Sequence, residues 1–155
     1  DEADYQRVDL HDNLEDTIAM YRSRLNPGVA IERDYGDVPP VACYPANINQ
    51  LLLQLLRNAN HACKDGGKIT VATRRAGDSV TLSVADTGIG IAPEDLPRIF
   101  DPGFTAWGVR VGAGLGLSIC YQIVNDHRGD ISVESVKGQG SVFVVTLPIE
   151  NRKQT

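Results

Sequence analysis

The chain has 155 residues, and its 15 Lys and Arg against 20 Asp and Glu give a formal net charge of −5. This acidic balance argues against a dedicated nucleic-acid binder, because phosphate backbones attract positive surfaces. With 42% hydrophobic and 23% charged residues the composition excludes wholesale disorder, and none of the apolar runs approaches the roughly 20 residues of a membrane span.

The length fits one domain over residues 1–155, and the sequence has no internal repeat or interdomain linker. Because the chain opens with Asp1 and not with Met, and no signal peptide follows, we expect an excised fragment. The three cysteines, Cys43, Cys63 and Cys120, lie far apart and form no CxxC pair. We therefore expect buried thiols in a reducing cytosol, and neither a disulfide framework nor a zinc site.

Hydrophobic periodicity predicts an alternation of helices and strands along the chain. The predicted elements are, in order, a helix over 11–25, a strand over 29–34, a helix over 45–63, strands over 68–75 and 79–85, a short helix over 94–99, a helix over 115–127, and strands over 130–134 and 141–147. The helix over 45–63 has the clearest pattern, since Pro45 suits a first helical position and a broad apolar stripe runs from Ile48 to Ala59.

Turn and loop signals join these elements. Ala76-Gly77-Asp78 and Gly138-Gln139-Gly140 separate neighbouring strands, as hairpin turns do. The polar residues 1–9 are predicted to be a lead-in segment, and the Gly-rich residues 101–114 a long loop. Mixed helices, strands and hairpins favour an α+β fold, in which one mixed sheet carries helices on one face.

Three polar residues share one flank of the helix over 45–63. Gln54, Asn58 and His61 are spaced i, i+4 and i+7, which places them on one face beside the apolar stripe. Polar side chains in line at the edge of a core face suit the wall of a ligand site. A solvated helix flank has the same pattern, so this helix alone leaves both interpretations open.

A second motif, Asp86-Thr87-Gly88-Ile89-Gly90-Ile91, directly follows a predicted strand. We expect Asp86 at the strand end, and the glycines allow the backbone to turn tightly and approach a ligand. A carboxylate in that place can accept a hydrogen bond from an exocyclic amine. A plain Asp-initiated turn explains the same residues, because DxGxG alone is a weak signal.

A third motif is the glycine-rich approach to the helix over 115–127, with Gly108, Gly112, Gly114 and Gly116. Backbone N–H groups at a helix N-terminus suit phosphate. The spacing is GxGxG after a loop, and not the GxGxxG after a strand that a Rossmann fold requires. The sequence contains no GxxxxGK[ST], which excludes a P-loop.

In this order, the Asn-bearing helix, DTGIGI, IFDPGFT, GAGLGLSI and GQGS resemble the ATP-binding catalytic domain of sensor histidine kinases, from about Val8 to Leu147. The resemblance implies the Bergerat fold: a two-layer α/β sandwich with a mixed, mostly antiparallel sheet, about three helices packed on one face and a flexible ATP lid. The core of this domain would span about 8–148. IFDPGFT, with Gly103 where many relatives have Phe, looks most like the nitrogen-regulation branch.

The resemblance implies roles for the residues around the first two motifs. Asn58 matches the Asn that holds Mg²⁺, which bridges the nucleotide phosphates, and an amide oxygen is a suitable hard ligand. His61 matches a position that often faces the phosphates. Asp86 matches the Asp that recognises the adenine amino group, and Gly88 and Gly90 match residues that shape the floor of the adenine pocket.

The resemblance also implies an ATP lid between the predicted short helix and the helix over 115–127. Phe100 and Phe104 match the aromatic box at the foot of this lid. The glycines that let the lid hinge and that cradle the phosphates correspond to the run Gly112, Gly114, Leu115 and Gly116.

The sequence departs from the family pattern in three places. Gln54 stands where many relatives have Asn, four residues before the metal-binding position. Relatives often carry FTTK at the lid, whereas this chain has FTAW from Phe104, so Arg110 is the nearest cation for the γ-phosphate. The pair His11-Asp12 lacks the Pro that follows a phosphoacceptor histidine, so we expect no acceptor here. The resemblance implies that the catalytic residues of this chain are Gln54, Asn58 and Arg110.

The resemblance implies a kinase domain that binds ATP and Mg²⁺ and passes the γ-phosphate to a histidine on a separate dimerisation and phosphoacceptor domain. A response regulator receiver domain would act downstream, and no nucleic acid is involved. The isolated chain would be monomeric, its parent homodimeric, and its location cytoplasmic whether or not the parent is anchored in a membrane. Alone, the chain could not complete a turnover.

Two alternatives remain at this point. A Bergerat-type ATPase or clamp would hydrolyse ATP to drive a conformational switch, and such proteins carry a Glu four residues before the metal-binding Asn. Gln54 cannot act as a carboxylate base, which favours the kinase hypothesis. A nucleotide-binding switch module without catalysis differs from the kinase domain only when the partner domain is added.

Overall fold

The computed structural model describes residues 4–102 and 115–150. The strands and helices are, in chain order, β1 (Gln6–Val8), α1 (Leu10–Tyr21), β2 (Val29–Tyr35), β3 (Val41–Cys43), α2 (Pro45–Ala62), β4 (Gly67–Ala76), β5 (Ser79–Asp86), α3 (Leu115–Asp126), β6 (Asp130–Val136) and β7 (Gly140–Pro148). Short 3₁₀ turns lie at Arg22–Arg24 and Leu96–Arg98.

The long helix α2 begins and runs as its sequence predicts. Pro45 lies in its first turn, where a missing N–H costs no helical hydrogen bond. The apolar stripe is entirely inside, since the side chains of Ile48, Leu51, Leu52, Leu55 and Leu56 are at most 1% exposed. Burying each of these side chains stabilises the folded state by roughly 1.5–3 kcal/mol. Helix α2 is therefore the main source of apolar packing in the helical layer.

Five strands form one mixed sheet in the order β2-β4-β5-β7-β6. Only β2 and β4 are parallel; their crossover passes through β3 and α2, and the other three pairs are antiparallel. Burial alternates along β5 and β7, as it must when one face of a sheet is covered. A separate two-stranded ribbon pairs β1 with β3.

The three helices of the described residues pack on one face of the sheet, which confirms the predicted two-layer sandwich. Buried side chains from all three helices and from strands β4 to β7 share one core, which includes Leu14, Leu55, Leu82, Val124 and Val145. None of the helices in the described part of the chain has both the length and the apolar character that a membrane crossing requires.

The structure corrects several sequence-based boundaries. The predicted lead-in 1–9 contains β1, which pairs with the unpredicted β3; strands of three residues are too short to show a periodicity. The predicted helix 11–25 ends at Tyr21 and continues as a 3₁₀ turn. The predicted helix 94–99 is only the 3₁₀ turn Leu96–Arg98. Of the predicted loop 101–114, residues 103–114 lie outside the described residues.

Two other expectations concern residues inside the fold. The three cysteines are free and buried, as predicted. His11, the discounted phosphoacceptor, stacks on the Tyr35 ring at a centroid distance of 4.3 Å, and its Nε2 lies 2.8 Å from the Thr73 hydroxyl. These contacts give His11 a structural role in joining α1 to the sheet.

Candidate nucleotide site

The polar flank of α2 is partly buried, and its central residue is Asn58. Only 7% of Asn58 is exposed, and its side-chain Nδ2 donates to the backbone carbonyl of Gln54 at 2.9 Å. The amide oxygen of Asn58 accepts no hydrogen bond from any residue in 4–102 or 115–150. Since the amide is fixed through its nitrogen, this oxygen is the atom available to a ligand.

His61 lies one turn closer to the end of α2 and is half-buried. Burial lowers the pKa of His61, and the nearby charge of Lys64 lowers it further. The imidazole is therefore neutral at pH 7 and can donate or accept a hydrogen bond. Gln54, Asn58 and His61 share the flank that the sequence predicted.

Asp86 is the last residue of β5, and only 8% of it is exposed. Its Oδ1 accepts the backbone N–H of Gly88 at 2.9 Å, which forms an Asx-type turn. Burial raises the pKa of the Asp86 carboxyl, while hydrogen bonds from the backbone amides of Gly88 and Ser141 lower it in part. The Asp86 carboxylate is therefore an oriented and desolvated hydrogen-bond acceptor at the end of β5.

The loop after Asp86 is wedged between α2 and the β6–β7 hairpin. The Ile89 N–H donates to the carbonyl of Ala62 at 3.0 Å, which satisfies a carbonyl at the end of α2, and the Ile89 carbonyl accepts the Gly138 N–H. A Cβ at Gly88 would collide with that Ala62 carbonyl oxygen. Gly90 has φ +71° and lies against the Val136 carbonyl, so a side chain is excluded there too.

These contacts bring the first two sequence motifs together. The last turn of α2 touches the loop that begins at Asp86, so the face with Asn58 and the strand end with Asp86 border the same region. Gly88 and Gly90 were predicted to let the backbone approach a ligand; in the structure their close approach is to Ala62 and Val136 of the protein itself, and a role toward a ligand stays a prediction.

The sequence interpretation missed Ser141. This residue lies opposite Asp86 in the β5–β7 register, is 4% exposed, and donates its backbone N–H to the Asp86 carboxylate. The signal was available in the alternation of β7, because Ser141 occupies the same inward position as Phe143, Val145 and Leu147. A hydroxyl at an inward-facing position of a strand, next to an Asp, indicates that this end of the core is polar.

The aromatic residue at the foot of the predicted lid has neighbours in the fold. The Phe100 ring lies 5.8 Å from the Tyr121 ring on α3 and 6.4 Å from the Phe143 ring on β7, measured between centroids. Phe100 thus joins the segment that leaves the site to α3 and the sheet.

The remaining predicted site residues are only partly described. Leu115 and Gly116 open α3, but their side-chain surroundings lie outside the described part. Phe104, Arg110, Gly112 and Gly114 lie outside the described residues, as does the predicted ATP lid from residue 103 to residue 114. Their roles stay predictions.

The residues present fit a Mg²⁺ ion that is shared with phosphate. Mg²⁺ takes oxygen ligands and is usually held by one or two protein groups together with phosphates and water. The Asn58 amide oxygen is such a group, because it is fixed by its nitrogen and is not engaged by the described residues.

Comparisons with known proteins agree with this geometry. A family model described as "Histidine kinase-, DNA gyrase B-, and HSP90-like ATPase" matches residues 43–151. Sporulation kinase E of Bacillus subtilis (strain 168) is 34% identical over 153 residues, which are 97% of this chain and 20% of that protein. Sensor histidine kinase ZraS of Salmonella typhi is 43% identical over 111 residues, which are 71% of this chain and 23% of that protein. The chain thus spans about a fifth of the length of these curated relatives.

Solved structures show the same fold. The nucleotide-free catalytic domain of histidine kinase ThkA has a TM-score of 0.84 at 26% identity, over 97% of this chain and 99% of that one. Full-length ShkA in complex with AMPPNP has a TM-score of 0.83 at 28% identity, over 93% of this chain and 31% of that one. Together with the family match over residues 43–151, they show that the chain belongs to the family of histidine kinase-, DNA gyrase B- and HSP90-like ATPases.

Proposed function

We propose that this chain binds Mg·ATP and donates the γ-phosphate to a histidine on a separate dimerisation and phosphoacceptor domain of a two-component sensor kinase. The observation that carries the proposal is the buried Asp86 carboxylate, held by backbone amides in a loop that is hydrogen-bonded to the end of α2. The sensor histidine kinases among its relatives support the same function.

Base recognition is assigned to Asp86. Its carboxylate can accept hydrogen bonds only, and the exocyclic amine of adenine is a donor. The desolvated surroundings of Asp86 strengthen such a bond and make a mismatched partner costly. Gly88 and Gly90 keep the loop close to α2 and the β6–β7 hairpin, which holds the carboxylate in place.

Phosphate binding is assigned to the other side of the site. The Asn58 oxygen would hold Mg²⁺, and the metal, when bound, neutralises charge on the phosphate oxygens. The neutral imidazole of His61 can donate to a phosphate oxygen from the next turn of α2. Arg110 and the glycines before α3 are proposed to complete the cradle from the lid.

The transfer itself needs little from this chain beyond positioning and charge neutralisation. Gln54 offers no carboxylate base to activate water, which disfavours steady hydrolysis and with it the ATPase or clamp alternative. The nucleophile comes from the acceptor domain. We further propose that residues 1–155 are one domain, monomeric alone, in the cytoplasm and within a homodimeric parent.

A response regulator receiver domain is proposed as the final acceptor of the phosphate. This proposal is supported by histidine kinase ThkA, which has been solved in complex with response regulator protein TrrA. That structure has a TM-score of 0.81 at 26% identity and covers 97% of this chain and 43% of that one.

Two measurements test the proposal. Calorimetric titration with Mg·ATP should show saturable binding that Asp86→Asn largely removes, while Asp78→Asn, the same change on an exposed turn at the other end of β5, leaves it intact. With γ-labelled ATP, acid-labile label should reach a separately expressed acceptor domain of the parent protein only when this chain is added. Absence of ATP binding would refute the proposal, and steady hydrolysis without an acceptor would favour the ATPase alternative.

A further inference from the structure

Two serine hydroxyls form a short hydrogen-bonded chain beside Asp86. The Ser135 Oγ on β6 lies 2.8 Å from the Ile91 backbone nitrogen, 2.9 Å from the Gly140 carbonyl oxygen and 2.8 Å from the Ser141 Oγ. Ser135, Ser141 and Asp86 all line one open depression of about 260 Å³. The two serines are therefore neighbours of Asp86 across the β5–β7–β6 register.

The contacts of Ser135 fix where the two hydroxyl protons are. A serine hydroxyl has one proton to donate and two lone pairs that accept. The Ile91 N–H can only donate and the Gly140 carbonyl can only accept, so Ser135 accepts from the first and donates to the second. With its one proton used, Ser135 can only accept from Ser141. This is the one arrangement that satisfies all three contacts.

The proton of Ser141 is consequently engaged by Ser135. Its remaining hydrogen-bonding capacity is that of an acceptor. Asp86 lies opposite Ser141 in the β5–β7 register, and its carboxylate is an acceptor as well. This edge of the site therefore presents two acceptors side by side and no hydroxyl donor from Ser141.

We propose that Ser135 is a positioning residue that sets the base specificity of the site by holding the Ser141 hydroxyl as an acceptor. The inference rests on the proposed function, in which the base meets Asp86. A carboxylate alone does not exclude guanine, which offers it the N1–H and the 2-amino group as donors. A second fixed acceptor favours the 6-amino group of adenine and opposes the 6-oxo group of guanine or hypoxanthine.

Removing the Ser135 hydroxyl tests this directly. In Ser135→Ala the Ser141 proton loses its partner and can turn toward a 6-oxo group. We expect the ratio of ATP to GTP affinity, measured by calorimetric titration of the whole chain, to fall by about three- to tenfold, the worth of one hydrogen bond. Ser135→Thr keeps a hydroxyl and should keep the ratio. Ser132→Ala, on an exposed position of the same strand, is the matched control.

A double-mutant cycle separates specificity from mere support of the loop. Ser141→Ala should lower the ratio by itself, and Ser135→Ala should then lower it no further, because Ser135 acts through Ser141. Equal weakening of both nucleotides in Ser135→Ala, or an unchanged ratio, would overturn the inference and leave the proposed function standing. If Ser135→Ala does not fold, an unchanged ratio in Ser141→Ala overturns it. A wild-type chain that binds neither nucleotide overturns the proposed function and this inference together.

Discussion

The two sides of α2 carry buried asparagines that differ in how completely the protein engages them. Asn58 and Asn60 are each 7% exposed and lie two residues apart, about 200° around the helix. Asn60 accepts the Asn26 backbone N–H at 2.8 Å and donates to the Tyr21 hydroxyl and the Arg24 carbonyl, both at 3.3 Å. Within residues 4–102 and 115–150, the Asn58 side chain makes one hydrogen bond, through its nitrogen, to the Gln54 carbonyl.

This difference gives Asn60 a structural role and is consistent with the proposed ligand role of Asn58. A buried polar group normally has its hydrogen-bond partners inside the fold. Asn60 has them, and its bonds connect the loop between α1 and β2 to α2. The Asn58 oxygen has no hydrogen-bond partner among the described residues and is not sealed inside them, so solvent or a ligand can reach it. We therefore expect the side of α2 with Asn60 to determine the stability of the fold, and the side with Asn58 to determine the affinity for nucleotide.

The largest effect is expected from Asn60→Ala. The change leaves the Asn26 N–H and the Arg24 carbonyl without their partner, which should lower the free energy of unfolding by about 2–3 kcal/mol. Denaturant unfolding measures this loss. Asn58→Ala is a matched control of equal burial on the same helix, and it should cost well under half as much. Equal losses would abolish the distinction between the two sides.

Asp86→Asn is expected to move affinity and stability in opposite directions. An amide in place of the carboxylate mismatches the adenine amine, at a cost of about 1–3 kcal/mol of binding. Burial holds the Asp86 pKa above 3.8, so the folded chain keeps this proton longer than the unfolded one. The contribution of Asp86 to stability is thus fully present below pH 3.8 and is lost as pH rises through its folded pKa.

At neutral pH the ionised Asp86 therefore lowers stability, and Asp86→Asn should raise the midpoint of thermal unfolding while it weakens Mg·ATP binding. Scanning calorimetry at pH 7 and a titration of the same preparation give both values. A variant that loses stability together with affinity would show that Asp86 supports the fold and is not held there for a ligand.

The smallest effect is expected from His61, on the same side of α2 as Asn58. The pKa of His61 is lowered in the folded chain, so below pH 6.5 this imidazole binds a proton more readily in the unfolded chain than in the folded one. Stability should decline as pH falls from 6.5 through the folded pKa, and His61→Gln should make that decline shallower. Unfolding curves between pH 7 and 5 test this, and identical slopes would exclude a buried neutral His61.

The sequence predicted the helices and strands more accurately than the hydrogen bonds among polar side chains. The stripe of α2 and the alternation of β5 and β7 are local periodicities, so both were correct within a residue or two. Asn60 was not singled out, because its partner Asn26 is 34 positions away and no local pattern marks the pair. Helix geometry places Asn58 and Asn60 on opposite flanks of the apolar stripe, but their burial and their different roles depend on tertiary contacts.

The same reason explains the residues that were missed near Asp86. Ser135 and Ser141 belong to neighbouring strands, and each looks like an ordinary strand serine in the sequence. Their contact with the loop after Asp86 depends on the hairpin that brings Gly138 to Ile89. Glycines 88 and 90 were predicted for a ligand approach, whereas the collisions that exclude a side chain are with Ala62 and Val136.

We propose that the Asn58 oxygen meets a metal and phosphate while the rest of the site holds the base. Calorimetric titration of the wild-type chain and Asn58→Ala with Mg·ATP, and with adenosine in the absence of metal, tests it most directly. We expect Asn58→Ala to weaken Mg·ATP binding by roughly tenfold or more and to leave adenosine binding nearly unchanged. Equal weakening of both ligands would contradict it and make Asn58, like Asn60, a support of the fold.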